Sequence, residues 1–292
     1  MVEASIHREE TIMKIVDSQV HIWYPNTPER PWPPHNPKNI PHRDRPFLVE
    51  DLLAEMRAAG VDRAIIVPPT WEGGRNDKAI EGARLYPDRL AVMGRIVLND
   101  PDTYDKVATW KKQPGMLGVR FTFGWGKEAP WLLDGTADRF WPIAEKAGFG
   151  VMLNVPALLE PVKAIAEKYP NLKIIIDHMG IPGRLKDDAL SDHMSDLCKM
   201  ARFPNIAVKM TALPNYSSAP YPYANLHPHL KRMYDAFGPK RLFWGSDLTR
   251  LPCSYRLCVT MMTEEVKWLS ATDLEWIMGR GVCEWLGWPL QE

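Results

Sequence analysis

Four short segments of the chain each end an apolar, β-branched run with a group that can do chemistry: Val16-Asp17-Ser18-Gln19-Val20-His21, Ile176-Asp177-His178, Val208-Lys209-Met210 and Trp244-Gly245-Ser246-Asp247. A strand buried on both faces reads as a continuous Val/Ile/Leu run, so polar atoms at its last residues must be paired inside or face an open mouth. A carboxylate such as Asp247 can take a proton from water, and imidazoles such as His178 and His21 can polarise a carbonyl oxygen or hold that water. Each residue alone also has an ordinary structural role. His178 after Asp177 could form a satisfied core pair, Lys209 could neutralise a buried acid, and Asp247 in a Gly-Ser-Asp turn could cap the next helix.

What must position these groups is visible in the rhythm of the chain. Eight apolar segments recur: Ile15 to His21, Ala64 to Val67, Ala91 to Ile96, Leu117 to Phe121, Val151 to Val155, Ile174 to His178, Ile206 to Met210 and Leu242 to Asp247. Helical patterns follow several of them, as in Val49 to Ala59, where Leu52, Leu53, Met56 and Ala59 repeat at helical spacing, and in Asn76 to Tyr86 and Pro161 to Tyr169. Gly60, Tyr86-Pro87-Asp88, Gly148, Tyr169-Pro170-Asn171 and Phe237-Gly238-Pro239 supply stops before the next strand. The expected fold is α/β, a (β/α)8 TIM barrel. An open doubly wound sheet would carry a glycine-rich phosphate loop after its first strand, and Gln19 to Tyr24 contains no glycine. In a barrel the carboxyl ends of the strands converge, so His21, Arg120, Asn154, His178, Lys209 and Asp247 are expected in one pocket.

The whole composition points to a small-molecule partner. The 292 residues are 45% hydrophobic, enough for a large core, and 36 basic residues balance 36 acidic ones. That balance gives no footprint for nucleic acid and no attraction to a membrane surface. Met1 to Glu10 lacks the apolar core of a secretion signal and no apolar run is long enough to span a bilayer, so a cytoplasmic protein is expected. Cys198, Cys253, Cys258 and Cys283 lack CxxC spacing and read as reduced thiols. A single domain over 1–292 is the simplest organisation. Between Tyr24 and Pro46 the chain carries eight prolines with Trp32, His35, His42, Arg43 and Arg45, and this 24–46 loop is expected to lid the mouth.

The strings Val16-Asp17-Ser18-Gln19-Val20-His21, Gly118-Val119-Arg120, Ile176-Asp177-His178-Met179-Gly180 and Phe237 to Asp247 resemble the amidohydrolase-related (amidohydrolase 2) family, in order and over nearly the whole chain. Within it they are most similar to the lactonase branch that includes 2-pyrone-4,6-dicarboxylate lactonase and sugar lactonases. The resemblance implies a distorted barrel whose first strand ends Asp-x-His-x-His and whose site is completed by a later histidine and a final-strand aspartate. Here Gln19 stands where the first paired histidine belongs, while His21, His178 and Asp247 match. Those three could hold zinc or manganese if a divalent metal is bound, but a carboxamide is a weak neutral donor, and Gln19 could instead bond a substrate oxygen or water. The reading leans toward a site without metal.

The expected activity is hydrolysis of a lactone or related ester of a small carboxylated compound, with Asp247 as general base and His178 and His21 as its partners. Arg120, Arg250 and Lys209 offer cations for a substrate carboxylate, Arg120 by resemblance to a family arginine, and Lys209 resembles a family lysine of structural role. Of the 12 tryptophans, Trp71 and Trp23 are the candidate pocket walls. Trp125 and Trp131 are expected to pin loops, and Trp276, Trp285 and Trp288 to pack or to meet another subunit of a homo-oligomer. His227-Pro228-His229 is a weak metal clip, His229 a candidate substrate contact, and His7, His35, His42 and His193 carry no assigned role. A non-oxidative decarboxylase of a hydroxylated aromatic acid, or a ligand-binding barrel without catalysis, are the alternative functions.

Overall fold

A computed structural model describes residues 13–33 and 40–290. The N-terminal segment Met1 to Glu10 and the 34–39 part of the proline-rich loop, His35 included, lie outside the described residues. All eight expected strands form: β1 (Val16–Val20), β2 (Arg63–Ile66), β3 (Leu90–Gly94), β4 (Met116–Thr122), β5 (Gly150–Asn154), β6 (Ile174–Ile176), β7 (Ile206–Thr211) and β8 (Leu242–Gly245). They pair in chain order, every pair parallel. Between them run α1 (Val49–Ala59), α2 (Asp77–Leu85), α3 (Thr103–Val107), α4 (Phe140–Ala147), α5 (Leu159–Lys168), α6 (Ser191–Lys199) and α7 (His227–Phe237), with α8 (Tyr255–Thr260), α9 (Ala271–Glu275) and α10 (Gly281–Leu286) after β8.

The sheet closes into a barrel at β1 and β8, and the closing bonds are unusual for strands. The Asp247 amide donates to the Gln19 carbonyl at 3.0 Å. The Asp17 carboxylate reaches across to accept from the Ser246 amide at 2.9 Å, from the Ser246 hydroxyl and from the Tyr255 hydroxyl at 2.6 Å, and also takes the Gln19 amide at 2.9 Å. Gly245 is required there, because a Cβ would stand 2.6 Å from both Ser18 Oγ and Thr211 Cγ2.

Strand alternation then sorts the barrel interior into layers. At the bottom Val16, Ile65, Ala91, Met93, Leu117, Met152, Ile175, Ala207 and Phe243 form one apolar cluster with Val282, Cys283 and Leu286 of α10, which stops that end. Two or three residues further along the strands the inward positions turn polar, at Arg120, Asp177 and Lys209. The larger cluster lies outside the sheet, where the helices bury their apolar stripes: Leu52 and Met56 of α1, Val162 and Ile165 of α5, Leu230 and Met233 of α7. Among the described residues no helix is long and apolar enough to cross a membrane.

Candidate functional site

The polar layer is a buried ion cluster. Lys209 Nζ lies 2.9 Å from Asp177 Oδ1, and Arg120 Nε donates to Asp177 Oδ2 at 3.0 Å, with all three side chains at most 5% exposed. Burial acts to raise the Asp177 carboxyl, but the two cations outweigh it and hold it below the usual carboxylate value. Burial lowers the pKa of Lys209 and of Arg120, against the pull of Asp177. Arg120 is thus already committed, its Nη1 donating to Thr122 Oγ1 as well. Arg95 also donates to Thr122 and pairs with Glu128 at the rim of the fourth strand.

One layer higher, three groups face one another at the carboxyl ends of β1, β6 and β8. His21 Nε2 lies 3.2 Å from Asp247 Oδ1, and His178 Nε2 lies 4.0 Å from Asp247 Oδ2. Both His178 (φ 52°) and Asp247 (φ 51°) adopt the left-handed backbone conformation just after their strands, as do Met179 and Ala212. Such strained non-glycine positions turn a side chain back over the barrel axis at a cost of order 1–3 kcal/mol each. The sequence segments Ile174 to His178 and Leu242 to Asp247 are therefore shorter as strands than their composition suggests, and His178 and Asp247 sit in the turns.

Each imidazole is oriented from behind. His21 Nδ1 lies 2.6 Å from the Val67 carbonyl, an acceptor only, so this nitrogen carries the hydrogen and Nε2 keeps its lone pair toward the site in the neutral ring. His178 Nδ1 pairs with Thr211 Oγ1 at 2.6 Å. Burial lowers the His178 pKa to about 3 despite the pull of Asp247 and Asp177. For Asp247 burial would act to raise the pKa, but the Arg250 guanidinium beside its Oδ2 opposes this, and the carboxyl is held well below the usual carboxylate range. Its Oδ2 accepts from Arg250 Nη1 at 3.3 Å, whereas its fully buried Oδ1 has no completed hydrogen bond.

Gln19 decides what else can enter. Lys209 donates to its Oε1, which leaves its NH2 against His178 Nε2 at 3.2 Å and His21 Nε2 at 3.4 Å. An ammonium has no acceptor to offer, so the amide cannot flip without setting NH2 against NH3+. The lone pairs that would ligate a metal thus point at amide hydrogens. His21, His178 and Asp247 as arranged do not fit a zinc or manganese ion, and among the described residues no cluster of three or more His, Cys, Asp or Glu is set out to hold one.

The remaining candidates separate. Trp71 stands beside His21 with ring centroids 6.2 Å apart, while Trp23 is fully buried behind it, packed on Phe47 and Trp71. Asn154 ends β5 opposite Thr122. Arg250, with its side chain 45% exposed, is the open cation of the group. Trp125 and Trp131 line a separate cavity of about 370 Å³ beside Thr122 and Glu128. His229 is not brought to the site: it is buried in α7 with Nε2 3.1 Å from the Asp187 carbonyl. His193 holds the Met179 carbonyl at 2.8 Å. Trp276 and Trp288 are covered by Arg280 and Arg63, and Trp285 packs on Phe243, all near the closed end.

Three residues without a sequence assignment belong to the site. Thr211 shares the inward face of β7 with Lys209, a period of two that could have marked it. Thr249 follows Asp247 by two residues and bonds His42, whose ring centroid is 5.7 Å from that of His21. The 24–46 loop is expected over the mouth, but only chain folding could show that His42 is a residue of it that meets Thr249 and His21. Burial, with His21, Arg250 and His178 adding to it against Asp247, lowers its pKa to about 3.

An eight-stranded parallel barrel with carboxylate and imidazoles on the turns after its strands is the architecture of a (β/α)8 hydrolase. The sequence model described as Amidohydrolase matches residues 16–290, and the chain belongs to that family. It is 28% identical over 246 residues to the L-fucono-1,5-lactonase of Burkholderia ambifaria, covering 80% of this chain and 79% of that one. It is 24% identical over 257 residues to the 4-sulfomuconolactone hydrolase of Rhizobium radiobacter, covering 79% and 74%. Among solved structures, an amidohydrolase of Burkholderia multivorans with bound zinc superposes with a TM-score of 0.78 at 22% identity, over 94% of this chain and all of the other.

Proposed function

We propose that this chain hydrolyses a lactone or related ester of a small carboxylated compound, with Asp247 as the proton-accepting group. The observation that carries the reading is the Asp247 carboxylate, fully buried, with Oδ1 lacking a completed hydrogen bond 3.2 Å from His21 Nε2. A water held there donates one hydrogen to Oδ1 and aims its free lone pair at a carbonyl carbon above it. The two lactonases among its relatives support the same chemistry.

The step balances on these groups. As the water oxygen bonds to the lactone carbonyl carbon, its proton passes to Asp247, and Arg250 lies on the open side where it can face the developing oxyanion. The ring carbon–oxygen bond then breaks, and Asp247 returns the proton to the leaving alkoxide. A carboxyl held so acidic is a weak base for the first half and a strong acid for the second, which suits a lactone already activated toward attack. Lys209, Asp177 and Arg120 act from below by fixing Gln19, and through it both imidazoles.

The test is turnover of a panel of aldono-1,5-lactones, muconolactones and a pyrone dicarboxylate, followed by proton release. Asp247→Asn should lower kcat/KM by at least ~100-fold, the usual share of a positioned acid–base group. Full activity of that variant removes Asp247 from the mechanism. Carbon dioxide released from a hydroxybenzoate, with no lactone opened, replaces the reading by a decarboxylase, and binding without turnover replaces it by a ligand-binding barrel.

A further inference from the structure

The segment between β1 and α1 brings His42 over the mouth and fixes it there. Trp23 and Phe47 exchange backbone hydrogen bonds of 2.9 and 3.2 Å, which ties the segment's two ends together. The His42 ring packs edge-on against Trp71, centroids 4.8 Å apart, and lies 5.7 Å from His21 and 6.4 Å from Trp23. Its Nδ1 pairs with Thr249 Oγ1 at 2.8 Å, in the turn directly after Asp247. That leaves Nε2, on the far side of the ring, for which the described residues supply no hydrogen-bond partner and which is not among the sealed, unpartnered atoms. The neighbouring Trp71 Nε1 is a buried donor that also lacks an acceptor.

We propose that His42 is a substrate-contacting, specificity-determining residue that receives a hydroxyl of the lactone ring through Nε2, with Trp71 as the flat wall beside it. The inference rests on the lactone-hydrolase reading and adds the chemistry of the substrate's outer edge. A hydroxyl both donates and accepts, so it satisfies Nε2 in either tautomer, whereas an anionic group is served better by Arg250 on the same mouth. Aromatic rings at the wall suit the C–H face of a saturated sugar-like ring. The position is set by the barrel's first loop, outside the strands that carry Asp247 and the imidazoles.

The test compares wild type, His42→Ala and His42→Gln on D-glucono-1,5-lactone and on δ-valerolactone, which has the same ring without hydroxyls. His42→Ala should lose roughly tenfold in kcat/KM on gluconolactone, chiefly through KM, as expected for one substrate hydrogen bond, and stay within about twofold on valerolactone. His42→Gln places an amide nitrogen near the position of Nε2 and should recover most of the loss. Equal losses on both lactones, no loss on either, or a glutamine variant no better than alanine each overturn the proposal. If valerolactone turns over too slowly to measure, the glutamine rescue on gluconolactone decides alone. A wild type that opens neither lactone, nor any in the panel above, removes the parent reading and this one with it. Turnover by wild type with unchanged His42 variants removes only this one.

Discussion

Lys209→Met is the perturbation that most directly probes how the interior controls the mouth. Lys209 is fully buried, 2.9 Å from Asp177 Oδ1, and donates to Gln19 Oε1. Removing one partner of a buried ion pair typically costs ~3–5 kcal/mol. Here Arg120 stays on the other oxygen of Asp177, and methionine refills the space against Met152, so the low end, about 3 kcal/mol, is expected. For a chain of this size that corresponds to a melting temperature lower by about 6 °C. The second consequence concerns Gln19. Freed from the ammonium, its amide can turn Oε1 toward the imidazoles and complete a set of two nitrogens and two oxygens with Asp247. Zinc affinity should then rise at least tenfold over wild type, read by isothermal titration and by metal content after dialysis. Loss of a positive charge would by itself attract a cation, so the double variant Lys209→Met/Gln19→Leu is the control. It should lose most of the gain. Stoichiometric zinc in the wild type, or a double variant that binds as tightly as the single, refutes the argument that Lys209 keeps the amide turned against metal.

Further outcomes follow from the same geometry. Asp17→Ala leaves the Tyr255 and Ser246 hydroxyls and two amides at the β1/β8 closure without their acceptor, each unmet buried donor costing ~1–3 kcal/mol. Urea unfolding should show a loss of at least ~3 kcal/mol, and a variant as stable as wild type removes the closure argument. Stability should fall as the solution is acidified from about pH 6.5 toward 3. His42 and His178 stay neutral in the fold, with pKa values near 3, while the unfolded chain protonates them near 6.5. The unfolded state therefore binds more protons in that window, and each histidine contributes a loss of up to ~1.4 kcal/mol per pH unit. His42→Gln should flatten the difference in unfolding midpoint between pH 7 and 5. Activity has the opposite tolerance: Asp247 is held ionised well below the usual carboxylate range, so kcat/KM should show no acid limb from its titration between pH 7 and 5. An acid limb near pH 6 that disappears in Asp247→Asn would contradict the assignment.

The barrel itself was legible because its signals are local. Apolar runs, helical spacing in Val49 to Ala59 and stops such as Gly60 and Gly148 reflect backbone and burial preferences that each segment expresses alone, and all eight strands form where these signals lie. The convergence of His21, His178 and Asp247 was also readable, since parallel strands put their carboxyl ends on one face. Lys209 as partner of a buried acid, one of its two possible roles, is the one the fold realises.

What sequence left open depended on contacts between residues far apart in the chain. Whether Arg120 faces a ligand or a carboxylate depends on Asp177, 57 positions away, which engages its Nε. The orientation of the Gln19 amide depends on Lys209, 190 positions away. His42 acquires a place only because Thr249 and Trp71 are brought beneath it by separate strands. Residue types and their period therefore determined the scaffold and the convergence of His21, His178 and Asp247, because those follow from each strand's own alternation. Tertiary structure decided tautomers, amide orientation and the fit for metal, because a hydrogen-bonding group is defined by the partner it meets.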